Sequence, residues 1–251
     1  MSLLSILGAV MRKRIAGDTS PAVVHTPTPM SLYQGSVVTL PTVDLALAQV
    51  DGSLLTPPVG DQIVTAVGWY TLFDHLIYHV YLGDGTSYLQ LVMNGTGQPG
   101  DGVAQVRLWT SRAEVLPQTT ADWEFWLGSY VKDADGALVR DAWGKTTLQE
   151  SGLIGWPQFQ IDNPQTIYDR AWQSGPEGIA PVAYTETIQS ADSLVSQIRH
   201  ESCEYFRNLG DPSQPTVESL LASLNQTNGA ASVNIWIGIE LDASAIRVLA
   251  S

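Results

Sequence analysis

A chain of 251 residues with 44% hydrophobic content can bury a substantial core, as one large β-rich domain or two small ones. Its net charge of −13 argues against nucleic acid, whose phosphates demand a basic face. The single cysteine, Cys203, excludes an intrachain disulfide and fits a reducing compartment.

Charge is unevenly placed: Arg12, Lys13 and Arg14 are followed by no Lys or Arg until Arg107. At about 100° per residue, Leu3, Leu4, Ile6, Leu7, Val10, Met11 and Ile15 fall within one half of a helical wheel, so residues 1–16 predict an amphipathic helix. Its basic residues follow the apolar run, unlike a secretory signal, and the run stops short of the roughly 20 residues that span a bilayer. The apolar face docks on its own domain, on a helical partner or at a membrane surface. In the outward readings Leu3, Leu4, Leu7, Val10 and Met11 make the contact, with Arg12, Lys13 and Arg14 against anionic lipid. Residues 17–30 hold three prolines and read as an extended linker, with the globular part beginning at Ser31.

Ser36–Leu40 and Val43–Val50 are short strand candidates, with a turn at Asp51-Gly52. Ile63–Phe73 is apolar on both faces and reads as a buried central strand, with a buried helix as the alternative. The clearest pattern is the meander from Gly68 to Thr110. Leu76, Tyr78, Val80 and Leu82 alternate with polar His75 and His79, and a turn at Gly83-Asp84-Gly85 follows. Leu89, Leu91 and Met93 then oppose Tyr88 and Gln90, and Ala104, Val106 and Leu108 oppose Gln105 and Arg107. The polar side is expected to face water.

Further on, Thr119 or Thr120 can cap a short helix over Asp122–Leu127, stopped by Gly128. A hairpin is expected around Asp133-Ala134-Asp135-Gly136 and a long ordered loop over 144–165. Thr166–Trp172 and Ile179–Gln189 read as strands. Ser190 or Asp192 opens a core helix with Leu194, Ile198, Ser202, Tyr205, Phe206 and Leu209 on one side and Gly210 as its stop; a strand over Glu201–Leu209 is the rival. Val217–Leu224 precedes a loop, and Val233–Leu241 alternates cleanly. The expected fold is α+β and β-rich, with antiparallel meander sheets or a partly open barrel, a few short helices and an N-terminal amphipathic helix. Residues 31–251 form the globular domain, as one unit or as two subdomains splitting near 113–145.

The chemistry-bearing motifs are weak. Gly95-Thr96-Gly97-Gln98-Pro99-Gly100 has the spacing of a dinucleotide-binding turn but leads into a strand, not a helix. Val131 and Ala142 occupy the first and twelfth ligand positions of a calcium loop around Asp133, so it is a turn. His75 and His79, four apart on a strand, lie roughly 13 Å apart, too far to share an ion. His200, Cys203 and Glu204 share a face only if their segment is helical, where they are the weak metal candidates. There is no Gly-x-Ser-x-Gly, and no catalytic residue or cofactor is assigned. Trp109, Trp123, Trp126 and Trp143 either line a ligand groove or pack a core.

The succession HLIYHVYLGDGTSYLQLVMN, VRLWTS, ADWEFWLG, IYDRAW, RHESCEYFRNL, VESLLASL and VNIWIGIELD resembles the bacterial YjfK-like family, over most of residues 31–251. The resemblance implies a gene neighbourhood with relatives of phage shock protein A, a helical protein that coats stressed inner membranes, and no catalytic residues to carry over. The expected function is a non-enzymatic, cytoplasmic accessory or adaptor protein, on the membrane surface or on a helical partner. The alternatives are a small-molecule binding module or enzyme with an aromatic-lined pocket, and a subunit of a larger assembly; a homo-oligomer stays open.

Overall fold

Among the described residues fourteen runs form strands, and eight of them close on one another. A computed structural model describes residues 28–96, 102–127, 130–132, 138–140, 154–161, 166–172, 175, 178–190, 194–213, 215–227 and 230–249. The first strands are β1 (Val37–Thr39), β2 (Gln62–Leu72), β3 (His75–Leu82), β4 (Ser87–Met93), β5 (Val103–Val115), β6 (Tyr130–Lys132) and β7 (Leu138–Arg140). The second half adds β8 (Gln158–Ile161), β9 (Thr166–Arg170), β10 (Val182–Ser190), β11 (Val195–Leu209), β12 (Thr216–Thr227), β13 (Ala230–Leu241) and β14 (Arg247–Leu249). Two α-helices among the described residues, α1 (Thr42–Val50) and α2 (Thr120–Leu127), accompany them.

The predicted meander β2-β3-β4-β5 is present and continues through β13, β12 and β11. Strand β10 pairs with β11 on one side and with β2 on the other, which closes an eight-stranded antiparallel barrel where the sequence predicts separate sheets or an open one. Beyond the closure, β1 and β14 extend the sheet from the start of β2, and β9 and β8 extend it from β11. Strands on either side of residues 113–145 share this sheet, through β5 with β13 and β2 with β10.

Directly paired residues share a face, so the register traces the wall of the barrel. Gly68, His79, Gln90 and Arg107 are successive partners, as are Tyr88, Trp109, Gly238 and Ser219. Across β11 and β10, His200 pairs with Tyr184 and Ile198 with Glu186, and Ile188 meets Gly68 to complete the ring on one face. That face is the lumen: Glu186 and Ile188 are buried, while Ala183 and Thr185 on the other side of β10 are exposed. The opposite face is aliphatic. Val67, Val80, Leu89, Leu91, Leu108, Leu220 and Ile237 form one cluster with Leu32, Leu45, Leu55, Ile154 and Phe159 from outside the barrel. The main hydrophobic core thus lies against the outside of the wall, each buried aliphatic side chain contributing about 1.5–3 kcal/mol.

Several expectations are corrected. Val43–Val50 is helical: Ala, Leu and Gln favour a helix, Asp44 sits in its first turn, and the run buries Leu45 and Ala48. The helix over 194–209 is instead β11, paired along its length with β10, β12 and β9. Its period of two is masked because Ile198, His200, Ser202 and Glu204 face a polar lumen while Cys203 and Tyr205 face the aliphatic core. Strand β8 lies inside the expected loop over 144–165. Helix α2 is as predicted: Thr119 Oγ1 accepts from the Asp122 N–H at 3.2 Å, and Asp122 accepts from the Thr119 N–H at 2.9 Å. The amphipathic segment 1–16, nearly all of the linker and the Asp133–Gly136 turn lie outside the described residues. No helix among the described residues is long and apolar enough to cross a membrane.

Candidate functional site in the barrel lumen

Polar and aromatic side chains converge in the lumen around Glu186, which is 0% exposed. Its Oε1 accepts from the Tyr81 hydroxyl at 2.8 Å and lies 3.1 Å from His79 Nδ1; its Oε2 lies 2.9 Å from His200 Nε2. Glu186 reaches β3 across β2 because position 68 is glycine: a Cβ there would lie 1.8 Å from Glu186 Oε1. Burial by itself would raise the carboxyl pKa. The contacts of His79 and His200 outweigh burial and hold it well below the usual carboxylate range. The hydroxyls of Tyr70, Tyr81 and Tyr88 are driven far upward, by burial first and then by neighbouring phenols and Glu186, so they remain protonated.

Hydrogen-bond geometry assigns the tautomer of His79. The Trp109 Nε1–H can only donate, and does so to Gln90 Oε1 at 3.3 Å. Gln90 therefore turns its amide nitrogen to His79 Nε2, at 3.3 Å, and to the Tyr70 oxygen, at 3.4 Å. His79 Nε2 must accept, so its proton sits on Nδ1 and is donated to Glu186. His200 places Nε2 2.9 Å from Glu186 Oε2 and Nδ1 2.8 Å from Asn225 Oδ1. It stacks on Tyr184, which stacks on Tyr70, with centroids 4.8 and 4.2 Å apart.

The array is not a nucleophile. Ser223 Oγ lies 3.5 Å from His200 Nδ1, in the order of a Ser-His-acid chain. Its proton, however, goes to Asn225 Oδ1 at 2.7 Å, an oxygen that also lies 2.8 Å from His200 Nδ1. The serine proton is thus directed to an amide oxygen and not to the imidazole. Among the described residues no three His, Cys, Asp or Glu side chains are grouped to hold a metal ion.

Beside this network lies a cavity of about 50 Å³, lined by Tyr81, Tyr88, Tyr184, His200, Asn225, Asn234 and Trp236 among others. It extends to Gly85 and Ser87 at the β3–β4 turn. Among the hydrogen bonds of the described residues, the Tyr88 hydroxyl, the Trp236 Nε1–H and the Asn225 amide nitrogen donate to no protein group, although Tyr88 is 3% and Asn225 5% exposed. The cavity they line is the space open to them.

The family described as Protein of unknown function (DUF2491) matches residues 10–143 and 130–247. The chain belongs to this family. No curated protein and no solved structure matches it.

In this DUF2491 chain the residues singled out from sequence are dispersed. His200 and Glu204 face the lumen, His200 on Glu186 and Glu204 on Arg107 at 2.6 Å, while Cys203 faces the aliphatic core, so the three form no common site. His79 is buried in the lumen, whereas His75 lies at the strand end with Nδ1 2.9 Å from the Met93 carbonyl. Of the tryptophans, Trp109 enters the lumen network and Trp123 and Trp126 pack on the aliphatic core; Trp143 is outside the described residues. The DUF2491 lumen depends instead on Glu186, Tyr88, Asn225 and Trp236, which sequence reasoning missed. One signal for Trp236 was present: Asn234, Trp236 and Gly238 alternate with Val233, Ile235, Ile237 and Ile239, one apolar face against one mixed face. The residues for lipid or partner contact, Leu3, Leu4, Leu7, Val10, Met11, Arg12, Lys13 and Arg14, lie outside the described residues.

Proposed function

We propose that the barrel is a binding module that takes a small molecule into its lumen and is not a catalyst. The carrying observation is that Tyr88, Trp236 and Asn225, whose hydroxyl, indole N–H and amide nitrogen donate to no protein group, line one cavity. Donors that line a cavity without protein partners are stabilised by a molecule that accepts from them. Eight-stranded barrels of this size hold one small ligand. A panel of small neutral, acidic and basic compounds, screened by tryptophan fluorescence, tests the reading. At least one compound should give a saturable change that disappears in Trp236→Phe; a panel without any such change refutes it.

For the outside of the molecule we propose an accessory role on a helical partner. The supporting observation is α1, which buries Leu45 and Ala48 yet exposes Val43 (69%), Leu47 (59%) and Val50 (84%), one row at helical spacing. The resemblance to the YjfK-like family names a relative of phage shock protein A as that partner, in the cytoplasm beneath a stressed inner membrane. Residues 1–16 would add a second contact. Co-sedimentation with such a purified relative should be weakened by Leu47→Asp and by deletion of residues 1–16. Capture by anionic vesicles alone, or binding untouched by both changes, speaks against it.

A further inference from the structure

The reading of the lumen as a ligand site can be taken further, to the chemistry of the ligand. Its size is bounded: about 50 Å³ is available, and a water-sized group needs roughly 10–15 Å³, which leaves room for roughly four heavy atoms. Its polarity is bounded by what the walls have left to offer. The Trp236 Nε1–H and the Asn225 amide nitrogen can only donate, and the Tyr88 hydroxyl has a proton to give, so the ligand must accept. Asn234 gives one N–H to Ser232 at 2.8 Å and keeps its carbonyl oxygen able to accept in the cavity.

Charge excludes ions. Glu186 is held by the Tyr81 hydroxyl, His79 and His200, and Arg107 by Glu204 at 2.6 Å, so the carboxylates and the guanidinium of the lumen already have partners. An added anion would enter near Glu186 without a free cation, and an added cation would meet donors; each would be desolvated without compensation. The rings of Tyr81 and Tyr184, with Leu82 and Leu221, suit methyl or methylene groups. The cavity reaches Gly85, on a turn pinned by Asp84, which accepts from the backbone N–H groups of Thr86 and Ser87, each at 3.0 Å.

We propose that the lumen binds a short neutral carbonyl compound, an amide, ketone or aldehyde of roughly four heavy atoms, its oxygen accepting from the donors of Tyr88, Trp236 and Asn225. The proposal rests on the lumen being a ligand site. An amide is favoured over a ketone, because its N–H can be given to Asn234.

The Trp236 indole N–H resonance of the full chain, assigned by its loss in Trp236→Phe, reports occupancy by acetamide, acetone, acetate or methylammonium. Acetamide and acetone should shift it saturably, acetamide at lower concentration, while acetate and methylammonium leave it in place. Tyr88→Phe, which removes one oxygen, should weaken acetamide at least tenfold. If only acetate or methylammonium shifts the resonance, the carbonyl assignment is wrong and the lumen site stands. If no probe shifts it, the site itself is refuted.

Discussion

Gly238 and Trp109 are direct partners across β5 and β13, and the indole covers the glycine so closely that a Cβ at 238 would lie 2.5 Å from its Cε3 atom. Trp109 is fully buried, so the ring has little room to retreat. Gly238→Ala should overpack the wall and cost about 1–3 kcal/mol. The measurement is the urea midpoint at unchanged slope. A midpoint equal to the parent's would mean that the ring moves aside freely.

Glu186→Gln keeps the shape of the side chain and removes the charge that the Tyr81 hydroxyl and both imidazoles face. Leaving such buried groups poorly matched costs about 1–3 kcal/mol. The pH dependence has a definite sign. The folded carboxyl is held below its unfolded value of about 4.3, so its contribution is present above that pH and is lost as pH falls below it. Stability curves between neutral and acid pH should therefore fall more steeply for the parent than for Glu186→Gln. Parallel acid limbs would contradict the assignment.

The relay from Trp109 through Gln90 sets the tautomer of His79. Nitrogen-15 spectra should show the His79 proton on Nδ1, and Gln90→Leu should release that tautomer. A tautomer unchanged in Gln90→Leu would show that Gln90 does not set it.

Cys203 is buried against the aliphatic core, and burial pushes its thiol up to about 11. A thiol reagent at pH 8 should leave the native chain unlabelled and label it fully in denaturant. Rapid native labelling would mean that β11 opens readily.

The meander was legible in the sequence because its alternation is local: Leu89, Leu91 and Met93 against Tyr88 and Gln90 is the observed division of faces. Which face met water was not legible. Gln90 was expected on a wet surface, but it lies in the lumen, holding His79 and Trp109. Alternation distinguishes two faces without saying that a sheet closes, and the closure joins β2 to a strand more than a hundred residues away. The same blindness produced the helix at 194–209, since a strand between a polar lumen and an apolar core shows no clean period of two. Glu186 stood in a stretch already read as a strand, but its partners His79 and His200 come from two others.

Strand β10 bears on how the barrel reaches its final state. His79 and Glu186 are separated by 107 positions, so the pairing of β10 with β2 closes a long loop and belongs to the slow, non-local part of folding. Until then the carboxylate remains in water. A slip of one residue at the seam would swing Thr185 or Thr187 into the lumen and strand both imidazoles, whereas the correct alignment satisfies all three groups at once. The buried charge therefore acts as a proofreader of closure: misaligned seams are penalised by several kcal/mol and can reopen before the barrel locks.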